Sequence, residues 1–324
     1  MSMDIISELN PISLNDSSVF RNLINKTSSP ISHYSFSVMY AYADLLQIRW
    51  MSCHNHICVF MIDNDFLHLF IPPLPEAEAT IYDLQKALLY CFKRMNAFNA
   101  EKGNKFAGKI NAVSDEQLAR IADCTIAGLE IRPYSSGKDY VYDIDKIITL
   151  AGSALASKRQ SKNKFMRDYP NHYIDSMSDA YIPDCLNLLK KWDKAKRDFQ
   201  TPEERNYQQD EFQACERIIK NWRSPGLKGM VLFADEKLIG FTFGTYLTPK
   251  QALILIEKTD PDFKNASAFI FSEFCKHYWS DCTECNCDDD GNNANLQLAK
   301  TLYRPKCLLN KSSIIQTRDL SITT

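Results

Sequence analysis

The stretch Leu253-Ile-Leu-Ile-Glu-Lys-Thr-Asp-Pro261 decides how this chain is read. An unbroken apolar run bounded by charge reads as a buried strand. This one runs straight into a glutamate, a lysine and an aspartate. In an open sheet, ligands sit beyond the carboxyl ends of the strands, so Glu257, Lys258 and Asp260 stand where chemistry is expected. After a helical stretch over Ala266 to Trp279 come Cys285-Asn-Cys-Asp-Asp-Asp-Gly291 and Ala299-Lys-Thr-Leu-Tyr-Arg-Pro305.

Working outward, Gly229 to Ala234 and Leu238 to Tyr246 flank Asp235-Glu-Lys237 and read as a hairpin. Asp184 to Lys196 and Gln209 to Trp222 read as helices, Gly291-Asn-Asn293 leads into a helix through Leu302, and Ile314 to Thr317 closes with a strand. The first half follows a similar order. Ser32 to Leu46 is a candidate helix, Ile48 to Met51 and Ile57 to Ile62 are strands, and Asp63-Asn-Asp65 turns into the strand Phe66 to Ile71. Ile81, Leu84, Ala87, Leu88 and Cys91 recur at helical spacing within Ala79 to Asn96. Ser114-Asp-Glu-Gln117 is a capping box opening a short helix, and Leu129 to Pro133 is a further strand. Each half thus offers helix, hairpin, helix and strand. That order suits an α+β fold with a mixed, mostly antiparallel sheet flanked by helices, present twice; a single large α/β domain is the alternative. The expected division is 1–142, a connecting helix with a basic end over 143–170, and 171–324.

A chain of 324 residues, 45% apolar and 24% charged, can bury two cores of ordinary size. A net charge of -2 exerts no global pull on nucleic acid or membrane, so any polyanion site must be a local patch. No apolar run approaches a membrane span, and Met1-Ser-Met-Asp-Ile-Ile-Ser7 lacks the features of a secretory leader, so a cytoplasmic location is expected. The 11 cysteines are an odd number and are read as reduced thiols. Cys53-His-Asn-His-Ile-Cys58 offers four soft ligands, yet Cys53 and Cys58 would face opposite sides of one strand. Cys282, Cys285 and Cys287, with Cys275 and His277, form a second such group. Both are read as small hydrophobes in and beside strands, with no metal expected.

The order of apolar strand, Glu257-Lys258, Asp260-Pro261, helix, Asn286, Asp290, Leu296, Ala299-Lys300, Tyr303 and Pro305 resembles the C-terminal domain of bacterial phosphatidylglycerol lysyltransferases and their soluble relatives. Further similar pieces are Ile31-Ser-His-Tyr-Ser-Phe36, Asp139-Tyr-Val-Tyr142, Leu150, Gly152, Lys158-Arg159, Lys164-Phe165, Tyr169 and Glu211. The resemblance implies two tandem acyl-CoA N-acyltransferase-like (GNAT-like) domains. It also implies transfer of an aminoacyl group from aminoacyl-tRNA to an amine or hydroxyl of a small molecule, peptide or lipid head group. Two departures stand out: the family's Asn-Arg-Glu is here Asn286-Cys287-Asp288, and its Leu-Arg is Leu296-Gln297.

Aminoacyl transfer from an ester needs its reactants held together, an oxyanion supported and a base for the incoming ammonium. Glu257 is the expected base or amine-binding group, and Lys258 and Lys300 the cations that neutralise phosphate or oxyanion. Asp260, Asn286, Asp290, Tyr303 and Arg304 are expected substrate contacts, Asp260 equally suiting a turn before Pro261. Lys158, Arg159, Lys162 and Lys164 form a basic run fit for tRNA phosphates, and equally a solvated helix end. No cofactor is expected with aminoacyl-tRNA as co-substrate. Acyl-CoA is the alternative donor, although Asp260-Pro-Asp-Phe-Lys-Asn265 lacks glycine and carries two acids that would repel a pyrophosphate. A non-catalytic binding protein on the same fold is the third reading.

Overall fold

The computed structural model describes residues 2–319 apart from 28, 77, 123, 125–128, 198–201, 225 and 292. They form two compact units, 1–138 with 309–324, and 139–308. This differs from the linear division expected above. The last strand returns to the first unit, and the helices expected as a bridge belong to the second.

In the first unit the elements are α1 (Ser2–Ser7), β1 (Asn10–Pro11), α2 (Ser17–Thr27), α3 (Phe36–Ala41), β2 (Arg49–Cys53), β3 (His56–Asp63), β4 (Phe66–Leu69), β5 (Leu74–Pro75), α4 (Ile81–Ala100), β6 (Lys109–Val113) and α5 (Asp115–Ala122). The strand order runs β1-β2-β3-β4-β6, with β5 also on β3. Only the β4–β6 contact in that run is parallel. The helix expected over Ser32 to Leu46 is shorter, a 3-10 turn at Ser32–Tyr34 followed by α3. Helix α4 begins at Thr80, whose hydroxyl and Asp83 cap each other reciprocally. Its stripe Leu84, Ala87, Leu88, Cys91, Phe92 and Met95 buries against Cys58, Phe60, Leu67 and Leu69 of the sheet. His54 and Asn55, both with positive φ, make the two-residue turn between β2 and β3. That turn overturns the parity expectation for Cys53 and Cys58. They lie on two strands folded back on each other, and both project from one face.

The second unit holds the Asp139–Asp143 end of β7 (Leu129–Asp143), then α6 (Ile144–Thr149), α7 (Ala156–Asp168), β8 (Tyr173–Ser176), α8 (Ile182–Arg197), α9 (Pro202–Lys220), β9 (Lys228–Ala234), β10 (Lys237–Thr248), β11 (Gln251–Thr259), α10 (Ala266–Tyr278), β12 (Glu284–Asn286), α11 (Ala294–Thr301) and the start of β13 (Cys307–Asp319). The strand order is β7-β12-β11-β10-β9-β8. Strands β11 and β12 are parallel, joined by α10 as a crossover, and the other pairs are antiparallel. A side chain at Gly244 would bring Cβ to 2.6 Å from the Leu253 carbonyl and 3.1 Å from Trp279, so glycine lets β10 and β11 close there. The core gathers Tyr142, Ile147, Phe165, Ile254, Phe269, Phe274 and Trp279.

Candidate active site

Successive residues of a strand point to opposite faces, so β11 sends Glu257 one way and Lys258 the other. Glu257 faces α10, where Ser267 Oγ donates to its Oε1 at 3.1 Å. Around that carboxyl stand Lys158 of α7, whose Nζ lies 4.2 Å from the centre of the Tyr303 ring, and Tyr303 itself. Ser267 is also a hydrogen-bond neighbour of Tyr303. The Tyr303 ring is fixed edge-on against Phe271 at 5.1 Å and Tyr142 at 6.2 Å. Cys287 lies within electrostatic reach of Glu257 as well.

Burial pushes the Glu257 pKa up to about 7, and the Ser267 hydrogen bond and the charges of Lys158 and Lys258 only partly oppose it. The residue is nevertheless partly exposed. Both hold for a carboxyl reached by water at one side yet packed round by protein. Burial lowers the Lys158 pKa while Glu257 pulls it back up. Burial raises the Tyr303 phenol far above its ordinary value, so it remains an O–H donor. The site thus combines a carboxyl poised near neutrality, two hydroxyls and one ammonium. That set can accept a proton and support a developing oxyanion.

The other expected site residues are placed differently. Lys258 Nζ lies 2.5 Å from Glu211 of α9 and 4.0 Å from the centre of the Trp192 ring of α8. Burial alone would lower its pKa, but Glu211 raises it, so it is a buried ammonium on the far face of the sheet from Glu257. Lys300 Nζ donates to the carbonyls of Cys287 at 2.7 Å, of Asp288 at 3.2 Å and of Asp289. Three donors meet three acceptors, which fixes the loop carrying Cys287. The acid and two amines expected around one cavity are therefore not brought together.

Asp260 pairs with Lys191 at 2.7 Å and accepts the Asp262 N–H at 3.0 Å, the geometry of a turn. Asn286 donates to Asp139 at 2.9 Å and accepts the Asp288 N–H at 2.7 Å, while Asp290 accepts the Tyr140 hydroxyl at 2.6 Å. Both tie down the 287–291 loop. Arg304 is exposed, immediately after Tyr303. In the basic run, Arg159 donates to the carbonyls of Leu150 at 2.5 Å and Gly152 at 3.1 Å. Lys162 pairs with Glu273 at 2.6 Å, and Lys164 with Asp168 at 3.0 Å along the helix. Of these four, Lys158 alone stands beside Glu257. Ser267 was not singled out in the sequence; its only signal is its place in the first turn of the helix after β11.

Cys275, Cys282 and Cys285 are buried in the core of this unit. Among the described residues, two groups bring three candidate metal ligands within 4.8 Å of one another: Cys53, Cys58 and Cys91, and Asp139, Asp288 and Asp289. No helix among the described residues is long and apolar enough to cross a membrane.

The profile of the family described as phosphatidylglycerol lysyltransferase, C-terminal, matches residues 91–305. A conserved protein of unknown function from Bacteroides thetaiotaomicron superposes with a TM-score of 0.81 at 20% identity, covering 95% of this chain and 99% of that one. L-PGS from Bacillus licheniformis gives a TM-score of 0.64 at 14% identity over 97% of this chain and 95% of its own. A tandem GNAT protein from the clavulanic acid biosynthesis pathway gives 0.51 at 10% identity, covering 95% and 98%. The tandem GNAT-like α+β architecture expected from the order of elements is the one observed.

Proposed function

Because the chain belongs to the phosphatidylglycerol lysyltransferase C-terminal family, we propose that its second unit transfers an aminoacyl group from aminoacyl-tRNA to an amine or hydroxyl acceptor. The observation that carries this reading is Glu257, a partly exposed carboxyl with a pKa of about 7, flanked by Ser267, Tyr303 and Lys158. Glu257 takes the proton of the acceptor as its nitrogen or oxygen attacks the ester carbonyl. The Lys158 ammonium and the Tyr303 hydroxyl support the oxyanion of the tetrahedral intermediate. As that intermediate collapses, the ester C–O bond breaks and the tRNA ribose oxygen leaves with the proton from Glu257. The exposed Arg304 is proposed to meet a phosphate of the tRNA end.

Glu257→Gln keeps the shape and removes the base, so transfer of a radiolabelled aminoacyl group should fall by about 10²- to 10⁴-fold. The melting temperature should not fall. Normal turnover by this variant would remove Glu257 from the mechanism. Release of thiol from acyl-CoA by a protein inert toward every aminoacyl-tRNA would replace the donor.

A further inference from the structure

In the first unit, the β2–β3 hairpin and α4 gather three thiols that no step above uses. Cys53 and Cys58 have their sulfurs 3.4 Å apart, and with Cys91 all three lie within 4.8 Å of one another. The register explains the convergence. Cys53 sits directly across the hairpin from His56, and Cys58 lies two residues beyond His56 on β3. All three residues therefore project from one face. That face is the one α4 covers with Leu84, Leu88 and Cys91. Cys58 and Cys91 are buried, while Cys53 is partly exposed and gives the cluster an opening to solvent. Two thiolates on a tetrahedral zinc ion, each at ~2.3 Å, stand ~3.8 Å apart, a spacing the three sulfurs need little movement to reach.

His56, across the hairpin from Cys53, is 0% exposed with its Nδ1 2.8 Å from the His54 carbonyl, and it lies outside the group of three sulfurs.

We propose that Cys53, Cys58 and Cys91 bind a zinc-class divalent cation, with the fourth position open to solvent beside Cys53, fastening the hairpin to α4. Binding displaces the protons of whichever thiols are not already ionised, and no electrons move.

The test uses the full chain, purified under reducing conditions, stripped with a chelator and titrated with cobalt(II) as a spectroscopic stand-in for zinc. One equivalent should produce thiolate-to-cobalt charge transfer and the strong visible bands of a tetrahedral site, both discharged by one equivalent of zinc. Cys53→Ser and Cys91→Ser should each weaken cobalt binding by ~10-fold or more, whereas Cys307→Ser on an exposed thiol should not. Zinc should also protect Cys53 from alkylation in the unmodified protein, a readout that does not depend on a variant folding. Absence of the cobalt spectrum, or its survival unchanged in Cys53→Ser, would overturn the site. So would a Cys53–Cys58 disulfide that re-forms in air whether or not zinc is present, since that would make the cluster a redox pair.

Discussion

Glu257 links the proposed chemistry to the stability of the fold. Its pKa stands at about 7 against an ordinary 4.5, so between those values the folded chain holds more protons than the unfolded one. Stability then falls as pH rises through that window, and the charged carboxyl costs at most ~3 kcal/mol above it, less to the extent that water reaches it. Glu257→Gln should therefore melt above the parent at pH 8, the gap closing as pH falls toward 4, as thermal melts across pH will read. Activity should move the other way. If Glu257 is the base, kcat/KM rises with pH through about 7, and the variant loses that rise. Cys287 lies within electrostatic reach of the same carboxyl. Cys287→Arg should draw the acid limb of the pH profile down by about one unit or more. An unmoved limb would assign it to some other group.

At the scale of the element, β11 is a partition, with the Glu257 site on one side and the Lys258–Glu211 pair under α8 and α9 on the other. Removing one partner leaves a buried charge, so Glu211→Gln should destabilise by about 3 kcal/mol in urea titration while the folded fraction keeps its activity. Loss of activity without loss of stability would place that pair in the chemistry. The opposed faces were legible in the sequence, since adjacent residues Glu257 and Lys258 on one strand can hardly share a cavity. The resemblance grouped them by order along the chain, which carries no face. For Cys53 and Cys58 the failure ran the other way. Parity holds along one strand, and the His54-Asn55 turn cancels it by folding the chain back between the two cysteines. The strand–helix alternation and the α4 stripe were readable because they repeat over many residues. Strand β12 has three residues and takes its place only from β11 and β7 beside it, so no local pattern marks it. Lys300 and Arg159 bond backbone carbonyls, partners that residue identity does not reveal.

Over the whole molecule, the first unit is built from two separated lengths of chain, and the second from one. The returning length matters to the first: Ser312, Ile314 and Ile315 pair with β6, Ile314 is buried in its core, and Gln316 accepts from Asn96 at 2.8 Å. A protein ending at Leu308 should therefore lose amide-exchange protection in α4 and β6 while the second unit keeps its own. Retained protection there would show that the first unit closes without its last strand. The same chain path orders events during synthesis. The unit made of one length can complete itself while the ribosome is still at work, but the unit holding residues 1–138 must wait, its sheet edge exposed, until β13 has been made. For this protein, the nascent first unit is the species that chaperones would have to shield.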